Sequence, residues 1–380
     1  MKFLQIDSFY PAYIQEMYAE NPALASAGFS TQVATLLQGG CSLAHNVALM
    51  MPKHGYQASF NIPNAANAQA QGLRLAGLAL SNPQAAFHET VLRQIDSIKP
   101  DILYLSDVLS LNSAFLRRLS WRPRLIIGWH AAPGVEQIDF SAFDVMVSSH
   151  AGCREAALRQ GAAAVEPFAP GLPRDLADQV KNEPKLYDVI FSGQIGEIHR
   201  KRTEHLLTLV RAEALRKAGV SLGLFLVGKG PSELAAYVRP PVWGLEMYRT
   251  LRRARIVLNV HVDMAFGAPQ NMRIFETLAV GSFLLTDHDG VHTPPFMPDQ
   301  ELGTFTSPDH MIEKILHYLR HTDERETIAQ AGQRRCLAEH SMEHRAAWLD
   351  DIIQRHLACK TASTSSLGPV SQESSHRRGC

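Results

Sequence analysis

The chain has 380 residues, 46% of them apolar and 19% charged, the composition of a globular protein able to build sizeable cores. Basic and acidic residues balance at 37 each and are interspersed, so no overall field draws the chain to nucleic acid or to an anionic membrane. The length exceeds one comfortable core and implies two domains.

In chain order, short apolar runs alternate with amphipathic stretches. KFLQID (2–7), DILYLSD (101–107), RLIIGWH (124–130), FDVMVSSH (143–150) and VEPFAPG (165–171) read as buried strands, with helices at 84–98, 111–119 and 151–160. Such alternation predicts βαβ units and a parallel sheet over residues 1–170. The stretch 11–83 shows no clear pattern. Several strands end in a polar residue, namely Asp7, Asp107, His130 and His150, and in parallel sheets ligands gather outside the carboxyl ends.

Residues 171–186 break the pattern with prolines and charges and read as a linker. A second series fills 187–341. Its strands are YDVIFSG (187–193), LGLFLVG (222–228), RIVLNVH (255–261) and SFLLTD (282–287), and its helices fall at 201–218, 245–253, 271–280, 309–321 and 323–340. The fold class is therefore α/β, with two Rossmann-like doubly wound domains in tandem. A further helix is expected at 342–358. The Ser-rich tail 361–380 has too few large apolar residues to offset the entropy of ordering and is expected to be disordered.

The five cysteines are scattered, odd in number and form no CxxC pair, which suits a reducing compartment. The N-terminus lacks the apolar core of a signal peptide, and no apolar run approaches the ~18 residues that span a bilayer. A cytoplasmic location is expected, with peripheral membrane contact left open.

The chemistry concentrates in PQNMRIFETLAVGSFLLTD (269–287). Pro269 suits a helix start, Asn271 a cap and Gly281 the position past the helix end. The free backbone N–H groups of such a helix start form an anion site, and Arg273 adds a planar donor fork. Glu276, three residues on, can accept from two neighbouring hydroxyls such as those of a ribose. Phosphate donors beside a diol acceptor suggest a nucleotide; the alternative is an Arg–Glu surface pair at helical spacing. SGQIGEIHRKR (192–202) supplies Gly193, Lys201 and Arg202 after one strand, and LVGKGP (226–231) supplies Lys229 after the next. Neither is a P-loop. Their glycines permit close backbone approach, and their bases suit a diphosphate.

NMRIFETLAVGSFLLTD, with IVLNVH before it and ERETIAQAGQRRCLAEHSMEHR after it, resembles the CgeB-like glycosyltransferases, part of the group-one glycosyltransferases of GT-B fold. The resemblance spans roughly 95–350 and is strongest over 255–345. It implies two facing Rossmann domains with the active site between them. The C-terminal domain would hold a nucleotide diphosphate sugar, the N-terminal domain an unknown glycan, lipid or protein acceptor, and the 342–358 helix would cross back to the first domain. Retaining members of the wider group carry Glu, seven residues, then a second Glu that holds the ribose. Glu276 matches the second, Pro269 matches the Pro after the first, and the first is Ala268. Arg202 and Lys229 are the nearest counterparts of the family's diphosphate grip, with Lys201 close behind.

His130 at a strand end is the candidate catalytic base or donor contact; Asp107 and His150 hold comparable places. GGC (39–41) is no dinucleotide fingerprint. HYLRH (317–321) and HSMEH (340–344) space histidines by four without an evident third metal ligand, and DHD (287–289) reads as a turn. The expected activity is metal-independent transfer of a sugar from a nucleotide diphosphate sugar, with no cofactor and no metal site. The alternatives are a nucleotide-sugar epimerase on the same fold and a non-catalytic nucleotide-sugar-binding or assembly protein, to which Ala268 lends weight.

Overall fold

The computed structural model describes residues 1–75, 83–132, 137–261, 271–289 and 295–365. Ala268 and Pro269, on which the first half of the family motif rests, lie outside these residues, as does most of the expected disordered tail.

Twelve strands form two six-stranded parallel sheets. The first sheet contains β1 (Lys2–Ile6), β2 (Gln57–Asn61), β3 (Ile102–Leu105), β4 (Leu125–Trp129), β5 (Val145–Ser148) and β6 (Val165–Pro167), in the order β2-β1-β3-β4-β5-β6. The second contains β7 (Tyr187–Gln194), β8 (Leu222–Val227), β9 (Val238–Arg239), β10 (Ala254–Asn259), β11 (Phe283–Asp287) and β12 (Gly303–Phe305), in the order β12-β11-β10-β7-β8-β9. Nine strands fall where apolar runs predict them; β2, β9 and β12 do not. β2 is a half-exposed edge strand, and β9 and β12 have two and three residues, too few to show a period.

Both faces of each sheet are covered, which is why the strands read as continuous apolar runs. In β7, Val189 and Phe191 face one core while Ile190 faces the other. In β3, Leu103 and Leu105 face one core and Ile102 and Tyr104 the opposite one. The predicted 201–218 helix is two pieces, Arg200–Arg211 and Glu213–Lys217, divided at Ala212, whose extended backbone (φ −61°, ψ 105°) cannot continue a helix.

Residues 171–186 are not a free linker. They carry a short helix, Asp175–Val180, and bury Leu172, Leu176 and Val180 in the core of the second sheet. Leu172 lies beside Ser341 in a parallel bridge, so the two chain crossings between the halves run side by side. Gly171 is required there, because a Cβ would lie 2.4 Å from the Arg345 side chain and 3.0 Å from the Ser341 carbonyl oxygen.

The last helix runs Met342–Ser365, longer than predicted, so residues 361–365 are helical and not part of a disordered tail. Met342, Ala346, Leu349, Ile353 and Leu357 recur at helical spacing and pack with Phe3, Met51 and Tyr104 against the first sheet. Polar clamps flank this stripe: Tyr56 donates to Asp350 at 2.6 Å, and Lys360 reaches Asp144 at 2.7 Å.

Candidate active site

The second sheet has the strand order of a nucleotide-binding Rossmann sheet, with its reversal point between β7 and β10. Arg202 holds that point together. Its guanidinium, buried under the sheet ends, donates through Nε and Nη2 to the Val260 carbonyl past β10, at 3.1 and 2.9 Å. Nη1 donates to the Gln194 carbonyl at the end of β7, at 2.7 Å. The sequence suggests Arg202 for the diphosphate; the structure engages its fork with strand-end carbonyls. Arg202→Ala is expected to destabilise the fold by about 2–3 kcal/mol, since the buried Val260 carbonyl and the half-buried Gln194 carbonyl lose a charged donor. Arg202→Lys should recover only part, because one ammonium cannot span both strand ends. A denaturant midpoint for the Lys variant equal to wild type would contradict this role.

A cavity of about 150 Å³ lies between the halves. Tyr10, Gly40, Cys41 and Ser42 wall it from the first half; Ser192, Gly193, Trp243, Met247, Tyr248, Arg273 and Glu276 wall it from the second. Three of the residues singled out from sequence therefore meet here: Gly193, Arg273 and Glu276. Gly193 lets backbone form the wall, since a Cβ there would crowd the Phe191 ring at 3.2 Å.

Asn271 caps the Met272–Ala279 helix as its sequence position predicts. Its Oδ1 accepts from the Ile274 amide at 3.3 Å and its Nδ2 donates to Asn259 at 3.0 Å. The amide group is thereby committed to the scaffold. Glu276, on the buried face of this helix, accepts from Arg273 Nη1 at 2.9 Å. Burial pushes its carboxyl above the ordinary range, against the opposing pull of Arg273 and the Tyr248 hydroxyl. Arg273 also donates to the Ser192 carbonyl at 3.2 Å. The Arg–Glu pair is thus real, but it is a buried pair at a cavity wall rather than a solvated one.

Lys201, Lys229 and His130 do not wall this cavity. Lys201 Nζ binds Asp287 at 2.8 Å, and Asp287 also holds His261 through Nδ1 at 2.7 Å and its backbone N–H at 2.8 Å. Burial would raise the Asp287 carboxyl, but His261 and Lys201 outweigh it and hold it well below the usual range. The DHD segment read as a turn therefore begins with a buried anchor that ties β10 to β11. Lys229 lies in a separate open groove with Gly196, Arg200 and Thr203. His130 ends β4, where burial lowers the affinity of its ring for a proton, so the imidazole is neutral near pH 7. Its Nε2 is buried with no hydrogen-bond partner among the described residues.

Residues with no evident role in the sequence join the halves at this cavity. Gly244 starts the Gly244–Arg252 helix at φ +52°, and the next amide, of Leu245, donates to the Gly39 carbonyl at 2.8 Å. The glycine pair 39–40 thus serves backbone contact across the cleft. Beside it, Tyr10 packs against Trp243, tilted by 35° at 4.8 Å between ring centroids. His45 packs against Trp129, tilted by 44° at 4.0 Å between centroids, and sets Nε2 2.8 Å from the Met272 sulfur at the start of the Glu276 helix. A glycine pair following an amphipathic helix is the one sequence signal that could have marked this contact.

Asp7, at the end of β1, is buried, and its carboxyl is pushed up to about 7, first by burial and then by the neighbouring Asp107 carboxylate. A carboxyl whose folded pKa is raised weakens the fold as pH climbs from its unfolded value near 3.8 through about 7. Asp7→Asn is therefore expected to stabilise the protein by about 2–4 kcal/mol at pH 8 and by almost nothing at pH 4. Melting temperatures at the two pH values check the sign.

No curated protein sequence matches the chain. Residues 202–351 match the model of a family described as glycosyl transferase-like. Among solved structures, the chain is similar to sucrose-phosphate synthase from Thermosynechococcus elongatus, with a TM-score of 0.56, 13% identity, and 94% of this chain and 100% of that one covered. It is also similar to HepE from Anabaena in complex with UDP, with a TM-score of 0.51, 11% identity, and coverage of 93% and 100%. A third likeness is to UDP-GlcNAc 2-epimerase from Neisseria meningitidis bound to UDP-GlcNAc, with a TM-score of 0.51, 10% identity, and coverage of 93% and 100%. With its two parallel sheets, its crossing helix and these likenesses over nearly the whole length, the chain has the GT-B fold.

Proposed function

We propose that the protein is a glycosyltransferase, of the CgeB-like kind that its motif resembles, transferring a hexose from a nucleotide diphosphate sugar to an acceptor hydroxyl. The observation that carries this reading is the Glu276 carboxylate, buried in the wall of the cavity between the halves, near the reversal point of a Rossmann sheet. A carboxylate there can accept from both ribose hydroxyls, while Gly193 opens the wall for the diphosphate. The solved relatives that hold UDP or UDP-GlcNAc support a uridine nucleotide as the first donor to try. The cavity of about 150 Å³ is smaller than the ~300 Å³ at the low end of ligand pockets, and in this reading it widens when the donor enters. In this reading Lys229, in its open groove on the same half as Glu276, reaches toward the diphosphate, and His130, outside the present cavity wall, accepts the acceptor proton.

The test is calorimetric titration with UDP, UDP-glucose and UDP-GlcNAc, followed by product analysis with and without acceptor sugars. Transfer only with acceptor supports the proposal. Turnover without acceptor supports the epimerase reading that the Neisseria likeness favours. Binding without any turnover supports a non-catalytic role, as Ala268 in place of the family Glu suggests.

Transfer is expected to survive EDTA, because basic side chains and a helix N-terminus can neutralise the leaving diphosphate. Loss of activity with chelator and recovery with a divalent ion would overturn that expectation.

A further inference from the structure

The histidine pair in HYLRH gains a third ligand in the folded chain. His317 and His321 lie one turn apart at the end of the Pro308–Arg320 helix, and Glu324 lies in the first turn of the Thr322–Glu339 helix. The chain turns at His321, which ends one helix and precedes the next with φ −100° and ψ 72°. That turn folds Glu324 back, and a ligand atom from each of the three residues lies within 4.8 Å of the others. Among the described residues this is the one group of three or more such side chains that can converge on a metal.

The geometry points to a binding site for a borderline divalent transition metal of the zinc class, held by His317, His321 and Glu324, with a fourth position open to water. Two imidazoles and one carboxylate suit such an ion and not magnesium or calcium, which take oxygen ligands. His321 is already set for the task. Its Nδ1 donates to the His317 carbonyl at 2.8 Å, which fixes the tautomer and leaves the Nε2 lone pair for a metal. His317 Nε2 lies 2.8 Å from Glu324 Oε2, so its N–H now points at the carboxylate where the ion would sit. Metal binding replaces that N–H with a metal bond; the proton passes through solvent to Nδ1 of the same ring, and the neutral imidazole keeps its count.

The two rings stack at 4.1 Å between centroids with 25° between planes, so their in-plane lone pairs run nearly parallel and one ring must swing out of the stack to share an ion with the other. Metal–nitrogen distances of about 2.0–2.1 Å place tetrahedral ligands roughly 3.3 Å apart. Closing from within 4.8 Å needs only rotation of half-exposed side chains. The nearby Lys314 is engaged with Asp299 at 3.0 Å. None of the three ligands walls the cavity between the halves, so the ion clamps a helix junction on the outer layer of the second domain and takes no part in transfer.

The experiment titrates the untagged full-length chain with Co2+, then displaces it with Zn2+. One equivalent of Co2+ with ligand-field absorption in the visible and a Kd below about 100 μM is expected. His321→Ala and Glu324→Gln should each weaken it at least tenfold, while Cys359→Ser, which removes an exposed thiol, leaves it unchanged. Far-UV spectra confirm that the variants fold. No saturable one-to-one binding, or binding that both ligand variants leave intact, overturns the site.

Discussion

Glu276→Ala is expected to weaken UDP binding by about 1.5–3 kcal/mol, roughly ten- to a hundredfold, through loss of a charged hydrogen-bonding partner. Were Arg273 and Glu276 a surface pair at helical spacing, the alternative reading, its loss would cost the fold only a few tenths of a kcal/mol. The structure changes that expectation, because Glu276 and Arg273 form a buried pair at 2.9 Å. Removing one partner leaves the half-buried Arg273 guanidinium with only the Ser192 carbonyl and the Met247 sulfur, at a cost of about 1–3 kcal/mol. A lower melting temperature should therefore accompany the lost affinity. Glu276→Gln separates the two effects, since the amide keeps the volume and can still accept from Tyr248 and Arg273 through its carbonyl. It should regain much of the stability while leaving the ribose contact weakened. Calorimetry with UDP on folded Gln variant decides the matter, and affinity equal to wild type would remove Glu276 from the site.

Gly244→Ala should be as damaging without touching a charged group. A Cβ at Gly244 would lie 2.0 Å from the Gly39 carbonyl oxygen, and the residue sits at φ +52°, where side chains are disfavoured. The left-handed backbone alone costs about 1 kcal/mol, and the clash forces the halves apart at the wall that carries Tyr10 and Trp243. A total of about 3 kcal/mol or more is expected, together with altered donor affinity. Gly55→Ala is the control. Its φ is +80°, but a Cβ there meets nothing within 4 Å, so only the backbone cost should appear. Equal melting temperatures for the two variants would show that the Gly39–Gly244 contact does not hold the halves together.

Reading local structure from sequence succeeded where a helix start bears its own signals. Asn271 caps, Glu276 follows on the same short helix, and Gly193 ends a strand, all within local spacing. It failed where a side chain's partner is remote. Arg202 and Lys201 read as a basic run available to phosphate. Their partners, the Val260 carbonyl and Asp287, lie 58 and 86 residues away.

Local periodicity is legible in the residues alone: nine buried strands, the helices between them, and the αβ alternation that makes a parallel doubly wound pair of sheets the simplest solution. Apolar runs report burial on both faces, and they do so without knowledge of neighbours. Strand order, the edge strands β2, β9 and β12, and the burial of Leu172, Leu176 and Val180 in the second core emerge in three dimensions. So does the extension of the last helix to Ser365 on the first sheet. Those features depend on pairings across the chain, as do the Gly39–Gly244 contact and the convergence of Glu324 on two histidines. A side chain's charge and spacing are written in the sequence. Whether it faces a carbonyl, a carboxylate or a cleft is set by what the fold brings beside it.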